Sequence, residues 1–293
     1  MFWQSLKIYR FELPAKRPFQ WQLFIILVVL NFLGNLAGVP LLRKTNMPIE
    51  PVEFWGIVTI VSALIIALSL LMANRTGLGA PLLEGRIAKA ELSIWVRTGL
   101  ALTVLLIAIG APLSLLANRN ADPAIYSFGW ELVPASLKAG VVEEMINRFF
   151  LVSLFVWTGR FFKRDEEGRP YRSVYGGAIL VAALLFGWAH VDARLGDPTA
   201  TFGDYFLIMV LSSMLGIYFG WLYWLLGLEW AMLAHFAYDA FVSMILIPVY
   251  MLKSPVAWGF LTIILILALL LSWRMIASHS KDGDAMRLTP RQP

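Results

Sequence analysis

Glu143-Glu144-Met145-Ile146-Asn147-Arg148 lies inside a hydrophobic stretch running from Leu132 to Trp157. Two carboxylates and a guanidinium at bilayer depth are expensive, so such residues face a bundle interior or a wet cavity and mark function. Two further polar pairs accompany them: Phe186-Gly187-Trp188-Ala189-His190 closes the next apolar run, and His235-Phe236-Ala237-Tyr238-Asp239 lies inside a later one. The chain has three histidines, two of them in these apolar runs and the third, His279, near the polar C-terminal end.

Residues four apart on a helix share a face, whereas adjacent residues point about 100° apart. Glu144 can therefore pair with Arg148, acid before base, while Glu143 points elsewhere. That leaves Glu143 desolvated beside a like charge, a poise that suits a general base acting on water. His235 and Asp239 are also four apart, so the carboxylate can engage one imidazole nitrogen and fix the role of the other. His190, from a different span, then completes a three-sided pocket. The competing reading is a buried structural network in which the charges merely neutralise one another. Two histidines and three acids exceed what Arg148 and Lys138 require, which favours function. Lys138 reads as structural, and Phe149, Trp188 and Tyr238 read as pocket lining.

The elements that must position these groups are membrane helices. The 293 residues are 59% hydrophobic and 15% charged, with a mean hydropathy of +0.71, which is too apolar for an ordinary soluble domain. Apolar runs near 22–42, 54–72, 97–117, 132–157, 175–191, 205–225, 227–249 and 257–276 are each about the 20 residues needed to cross a bilayer. The expectation is an all-α polytopic bundle of about eight transmembrane helices, forming one domain. Residues 1–21 read as an interfacial segment, 130–250 as the catalytic core and 277–293 as a polar C-terminal tail. The sixth and seventh spans are separated by little more than Gly227 and Glu229.

The net charge of +5 does not point to nucleic acid, because the cations lie between apolar runs as topology determinants do. Seventeen of the 24 Lys and Arg residues flank the spans on the side of the N-terminus and five flank the other, so both termini are expected in the cytoplasm. The absence of cysteine removes disulfides, thiolate nucleophiles and Cys-ligated metal. Asn31, Gly34, Asn35 and Gly38 in the first span, and Ser212, Ser213, Gly216 and Gly220 in the sixth, read as close contacts between helices of one bundle.

Glu143-Glu144-x-x-x-Arg148, Phe186-x-x-x-His190 and His235-x-x-x-Asp239, in that order and on separate spans, resemble the motifs of the CAAX-protease and bacteriocin-processing (Abi) family of intramembrane endopeptidases. That family includes the Ras-converting type II CAAX prenyl endopeptidase. The resemblance implies hydrolysis of a peptide bond in a membrane-associated protein or peptide. Catalysis would fall to Glu143, His190, His235 and Asp239, with Glu144 and Arg148 in support. Family members carry Asn or Asp at the last position; Asp239 can orient His235 or bind a metal, but donates to an oxyanion only when protonated. The same four residues offer a zinc set of two imidazoles and a carboxylate, or work on water without metal. The metal-free mechanism is preferred, since Glu143 does not readily serve as both ligand and base. No G-x-S-x-G elbow, H-E-x-x-H helix or G-x-G-D pattern occurs, which argues against serine, zincin and aspartyl designs. The alternatives are a non-catalytic scaffold or immunity protein binding a peptide or protein partner in the same cavity and, behind it, a proton-coupled transporter, for which broken helices in paired halves are missing.

Depth poses a puzzle. On the drawn topology, Glu143 and His190 lie well inside the bilayer, whereas His235 is only about 8 residues, roughly 12 Å, from the turn at Gly227.

Overall fold

The computed structural model describes residues 18–40, 52–117, 130–166, 168–191 and 200–288. Most of the N-terminal interfacial segment, the flanking cations Arg43, Lys44, Arg119 and Arg194, and the last five residues lie outside them. The described residues form helices and no strand, with one isolated bridge between Arg164 and Pro170.

Among the described residues, eight helical rods follow one another. α1 is Trp21–Ala37, α2 is Val52–Thr76 and α3 is Lys89–Ala117. The rod α4 is composite, running through Leu132–Lys138, a π-helical Ala139–Glu143, a second π-helical Met145–Val152 and Ser153–Gly159. Then come α5, Arg172–Val191, and α6, Phe202–Leu226. α7 is Leu228–Phe241, extended through a π-helical Val242–Leu246 and Ile247–Leu252; α8 is Pro255–Leu288. Six of the rods are long and apolar enough to span a membrane by length and composition. α1 is equally apolar but shorter, and α4 is broken by its π turns, which accounts for the difference from the eight spans read in the sequence. α8 carries the polar residues 277–288 on in helical form.

Large apolar side chains face outward, among them Ile57, Ile60, Leu64 and Leu68 on α2 and Ile263, Leu267 and Leu271 on α8. Exposed apolar surface of this extent marks a membrane protein. The chain is an integral membrane protein. Its core gathers around α4: Met145, Phe149, Val152 and Val156 pack with Leu27 of α1, Ile66 and Leu70 of α2, Tyr223 of α6 and Ala231 of α7.

Small residues set the close approaches. A Cβ on Gly216 would sit 3.0 Å from Ala183, and one on Gly220 would sit 2.7 Å from Ile179, so this pair packs α6 against α5 within the bundle, as expected. Gly34 meets Val141 and Val142, and Gly38 meets Lys138; the cation thus packs against α1 rather than reaching the polar cluster.

The segment 77–88 bears on where His235 starts. It folds back under the bundle end with Leu78 and Ala80 buried, and Gly79 O accepts the Leu228 N–H at 2.9 Å. Glu229 Oε1 accepts the N–H groups of Leu82 and Leu83 at 2.9 and 3.0 Å. The turn between α6 and α7 is therefore covered: Leu226 and Leu228 are almost fully buried. Its pivot, Gly227, has φ of 98° and lies so near Pro81 that a Cβ would clash, a conformation that only glycine adopts without strain. His235 consequently starts from a recessed turn.

Candidate active site

α4 is the helix that presents the tandem glutamates, and it does so through consecutive π turns. π geometry is rare, widens the helix and concentrates at functional sites. Glu144 falls between the two π stretches. Its side chain is 0% exposed, and that of Arg148, one turn on, is 2% exposed. Arg148 Nη1 is 3.1 Å from Glu144 Oε1 but outside hydrogen-bond geometry, so charge more than direction holds that contact. The guanidinium is fixed by other means as well. Its Nη2 donates to Gly216 O at 3.2 Å, and its carbon lies 4.5 Å from the centroid of Phe186 and 5.3 Å from that of Phe219, distances at which aromatic faces attract a cation.

Glu144 also reaches across the bundle. Its Oε1 accepts from His235 Nδ1 at 2.8 Å, a bond between α4 and α7. His235 Nε2 faces Asp239 Oδ2 at 3.4 Å, the contact that the four-residue spacing predicts. The imidazole is thus gripped by a carboxylate at each nitrogen, with Phe219 stacked on its face at 4.5 Å and 17°. The sequence reading paired Glu144 with Arg148 and His235 with Asp239, and missed the bond joining the two pairs, because spacing along one helix carries no information about a partner 91 residues away. Phe219 was missed for a simpler reason: one aromatic in an apolar span carries no distinguishing signal.

Glu143 is only partly buried. Among the described residues its carboxylate has no hydrogen-bond partner, yet it lies within electrostatic reach of His235, His190, Asp239 and Glu144. His190 Nδ1 is 2.8 Å from Phe186 O. A carbonyl oxygen only accepts, so Nδ1 carries a proton and Nε2 is the nitrogen left for another contact. Phe186 stands between the two histidines, its centroid 4.3 Å from His190 and 6.0 Å from His235.

An apolar cavity of about 320 Å³ opens beside this cluster, walled by α3, α6 and the end of α5; His190 and Tyr238 connect it to the polar residues. Tyr238 spans to α3, donating to Gly110 O at 2.9 Å and sharing a very short contact with Ser114 Oγ. Of the residues read as pocket lining, Tyr238 is one. Phe149 is not, being 0% exposed in the core, nor is Trp188, which is 69% exposed on the outer face of α5. Helical periodicity alone does not distinguish an aromatic facing lipid from one facing a cavity. Ser212 lines the cavity, whereas Ser213 packs near Gly187.

As arranged, the four candidate ligands do not fit a zinc ion. Both nitrogens of His235 face carboxylates and one nitrogen of His190 faces a carbonyl, and no three His, Asp or Glu side chains among the described residues converge as a metal site.

Fold and cluster together define a class, a polytopic helical membrane protein that gathers carboxylates and histidines from three spans around a cavity. The particular family follows from comparison: residues 125–241 match the Rce1-like family, type II CAAX prenyl endopeptidase. Across that segment, which holds Glu143, Glu144, Arg148, His190, His235 and Asp239, the chain is similar to this protease family. α1, α2, α3 and α8 lie outside the match. No curated protein and no solved structure matches the chain.

Proposed function

We propose that the protein is an intramembrane endopeptidase in which Glu143 activates water for attack on a peptide carbonyl. The observation that carries this reading is the unequal placement of the tandem glutamates. Glu144 is committed to Arg148 and His235, whereas Glu143 keeps an unpartnered carboxylate within reach of His190, His235 and Asp239. A base must have a free lone pair near the proton that it takes.

In this mechanism the water oxygen bonds to the carbonyl carbon as its proton passes to Glu143. His190, through Nε2, helps to hold that water. His235, held at Nδ1 by Glu144, turns its Nε2–H from the longer 3.4 Å contact with Asp239 toward the developing oxyanion, the kind of interaction that usually contributes most to such steps. The proton on Glu143 then moves to the leaving nitrogen as the C–N bond breaks, yielding a carboxylic acid and an amine. Arg148 neutralises Glu144 and keeps the charge balance of the buried cluster. No metal takes part, in keeping with the donor arrangement. The cavity walls are mostly apolar, with Tyr218, Tyr238, Ser114, Ser212 and His190 among them, which suits an apolar part of a membrane-associated substrate. The distribution of Lys and Arg supports a cytoplasmic position for both termini; reporter fusions at each end check this.

The experiment is a proteomic comparison of membrane fractions from cells making the parent protein and Glu143→Gln at equal levels. New N-termini in membrane-associated proteins that appear only with the parent support the proposal. Identical profiles from a protein shown to be folded contradict it. Stoichiometric zinc in purified protein, with activity lost to chelator and restored by metal, would overturn the metal-free step alone.

A further inference from the structure

The far end of α4 carries a second feature that proteolysis does not use. Between α4 and α5 the chain makes a compact hairpin. Asp165 N donates to Arg169 O at 2.9 Å, Tyr171 N donates to Lys163 O at 3.3 Å, and Arg169 N donates to Asp165 Oδ1 at 2.7 Å. Asp165 thereby spends its carboxylate on the turn itself. Around the hairpin stand Arg75 at the end of α2, Arg160 at the end of α4, and Lys163, Arg164, Arg169 and Arg172. Among the described residues none of these cations forms an ion pair with a carboxylate. Arg160 Nη1 donates to Arg75 O at 3.2 Å, and its guanidinium lies 5.1 Å from the Phe161 centroid. Burial, and then the like charges of Arg75 and Arg164, lower the Arg160 guanidinium from its ordinary value.

Cations at the ends of α2 and α4 are partly accounted for by the carbonyl ends of those helices, which attract positive charge. That account does not reach Arg164, which sits beyond the helix end on the hairpin. Nor does it explain the aromatic residues beside the cations: Phe162 is 88% exposed, and Phe161 and Tyr171 are more than half exposed. Exposed rings interleaved with guanidinium groups that form no ion pair among the described residues, at the end of a membrane rod, match an anionic interface with acyl chains beneath it.

We infer that the Arg75, Arg160 and Arg164 cluster is a docking site for an anionic phospholipid headgroup, with Phe161 and Phe162 seated among its acyl chains. Bound there, the lipid ties the ends of α2 and α4 together, and these same helices form much of the core behind the tandem glutamates. The site stands independently of the proteolytic reading.

The test uses the full-length protein in detergent, titrated with phosphatidylglycerol or phosphatidylcholine and followed by native mass spectrometry. A basic residue near an anionic lipid surface contributes about fivefold in affinity, so the parent is expected to prefer phosphatidylglycerol by at least about fivefold. A triple variant, R75Q/R160Q/R164Q, is expected to bind both lipids alike. Should the triple variant fail to fold, Arg164→Gln alone, on the exposed turn, is expected to lose about one cation's share, roughly fivefold. Equal binding of both lipids by the parent overturns the inference, as does a preference that survives in the triple variant or is unchanged in Arg164→Gln.

Discussion

The two faces of α4 differ as sharply as any two regions of the molecule. On one face Glu144, Met145, Arg148 and Phe149 are buried, and each charged group there meets an opposite charge, a carbonyl or an aromatic face. On the other, Glu143, Ile146 and Asn147 are partly or fully exposed within the bundle or to its surroundings, and the Glu143 carboxylate has no hydrogen-bond partner among the described residues. A buried charge pair is costly to break from one side because it strands the other partner, whereas a lone accessible carboxylate is replaceable without structural loss. The difference separates a group that builds the site from one that is free to react.

The largest expected effect breaks the reactive face. Glu143→Gln keeps size and hydrogen bonding but removes proton acceptance, so turnover of a membrane peptide reporter should fall by about 10² to 10⁴. Next comes the packed face: Glu144→Gln strands Arg148, at about 3 to 5 kcal/mol, and it weakens the grip on His235 as well. Reduced accumulation and a lowered thermal midpoint should follow, with Arg148→Gln in the same chain restoring part of the loss.

A smaller effect sharpens how the faces are aimed. A Cβ on Gly140 would sit 2.8 Å from Met232 O and 2.9 Å from Phe236 N, so Gly140→Ala wedges α4 from α7 where their contact brings Glu144 to His235. Overpacking of this kind costs about 1 to 3 kcal/mol, and denaturant melts in detergent should show it. The smallest effect is at the exposed Trp188, where replacement by Ala should leave stability within about 0.5 kcal/mol. A clear loss of activity at normal stability would return Trp188 to the pocket.

The distribution of apolar runs made the eight rods legible, since bilayer thickness fixes their length. Spacing by four made Glu144 with Arg148 and His235 with Asp239 legible, since both pairs are local. The π turns of α4 were not legible, because their widening answers to packing against several neighbouring helices. The fold of 77–88 beneath the α6–α7 turn was equally hidden. It rests on a backbone bond from Leu228 to Gly79 and on the Glu229 carboxylate accepting from the N–H groups of Leu82 and Leu83, partners so far apart in the chain that spacing does not name them. The outward turn of Trp188 and the wall that α3 supplies through Ser114 and Gly110 needed the assembled bundle.

The account turns on the division of labour between two adjacent residues, and one paired measurement reaches it directly: thermal midpoint and turnover per folded molecule for Glu143→Gln and Glu144→Gln, side by side in the same membranes. The expected result is that Glu143→Gln melts with the parent and does not turn over, while Glu144→Gln melts lower and its folded fraction keeps measurable turnover. A Glu143→Gln protein that unfolds, beside a Glu144→Gln protein that stays folded and inactive, would contradict the assignment.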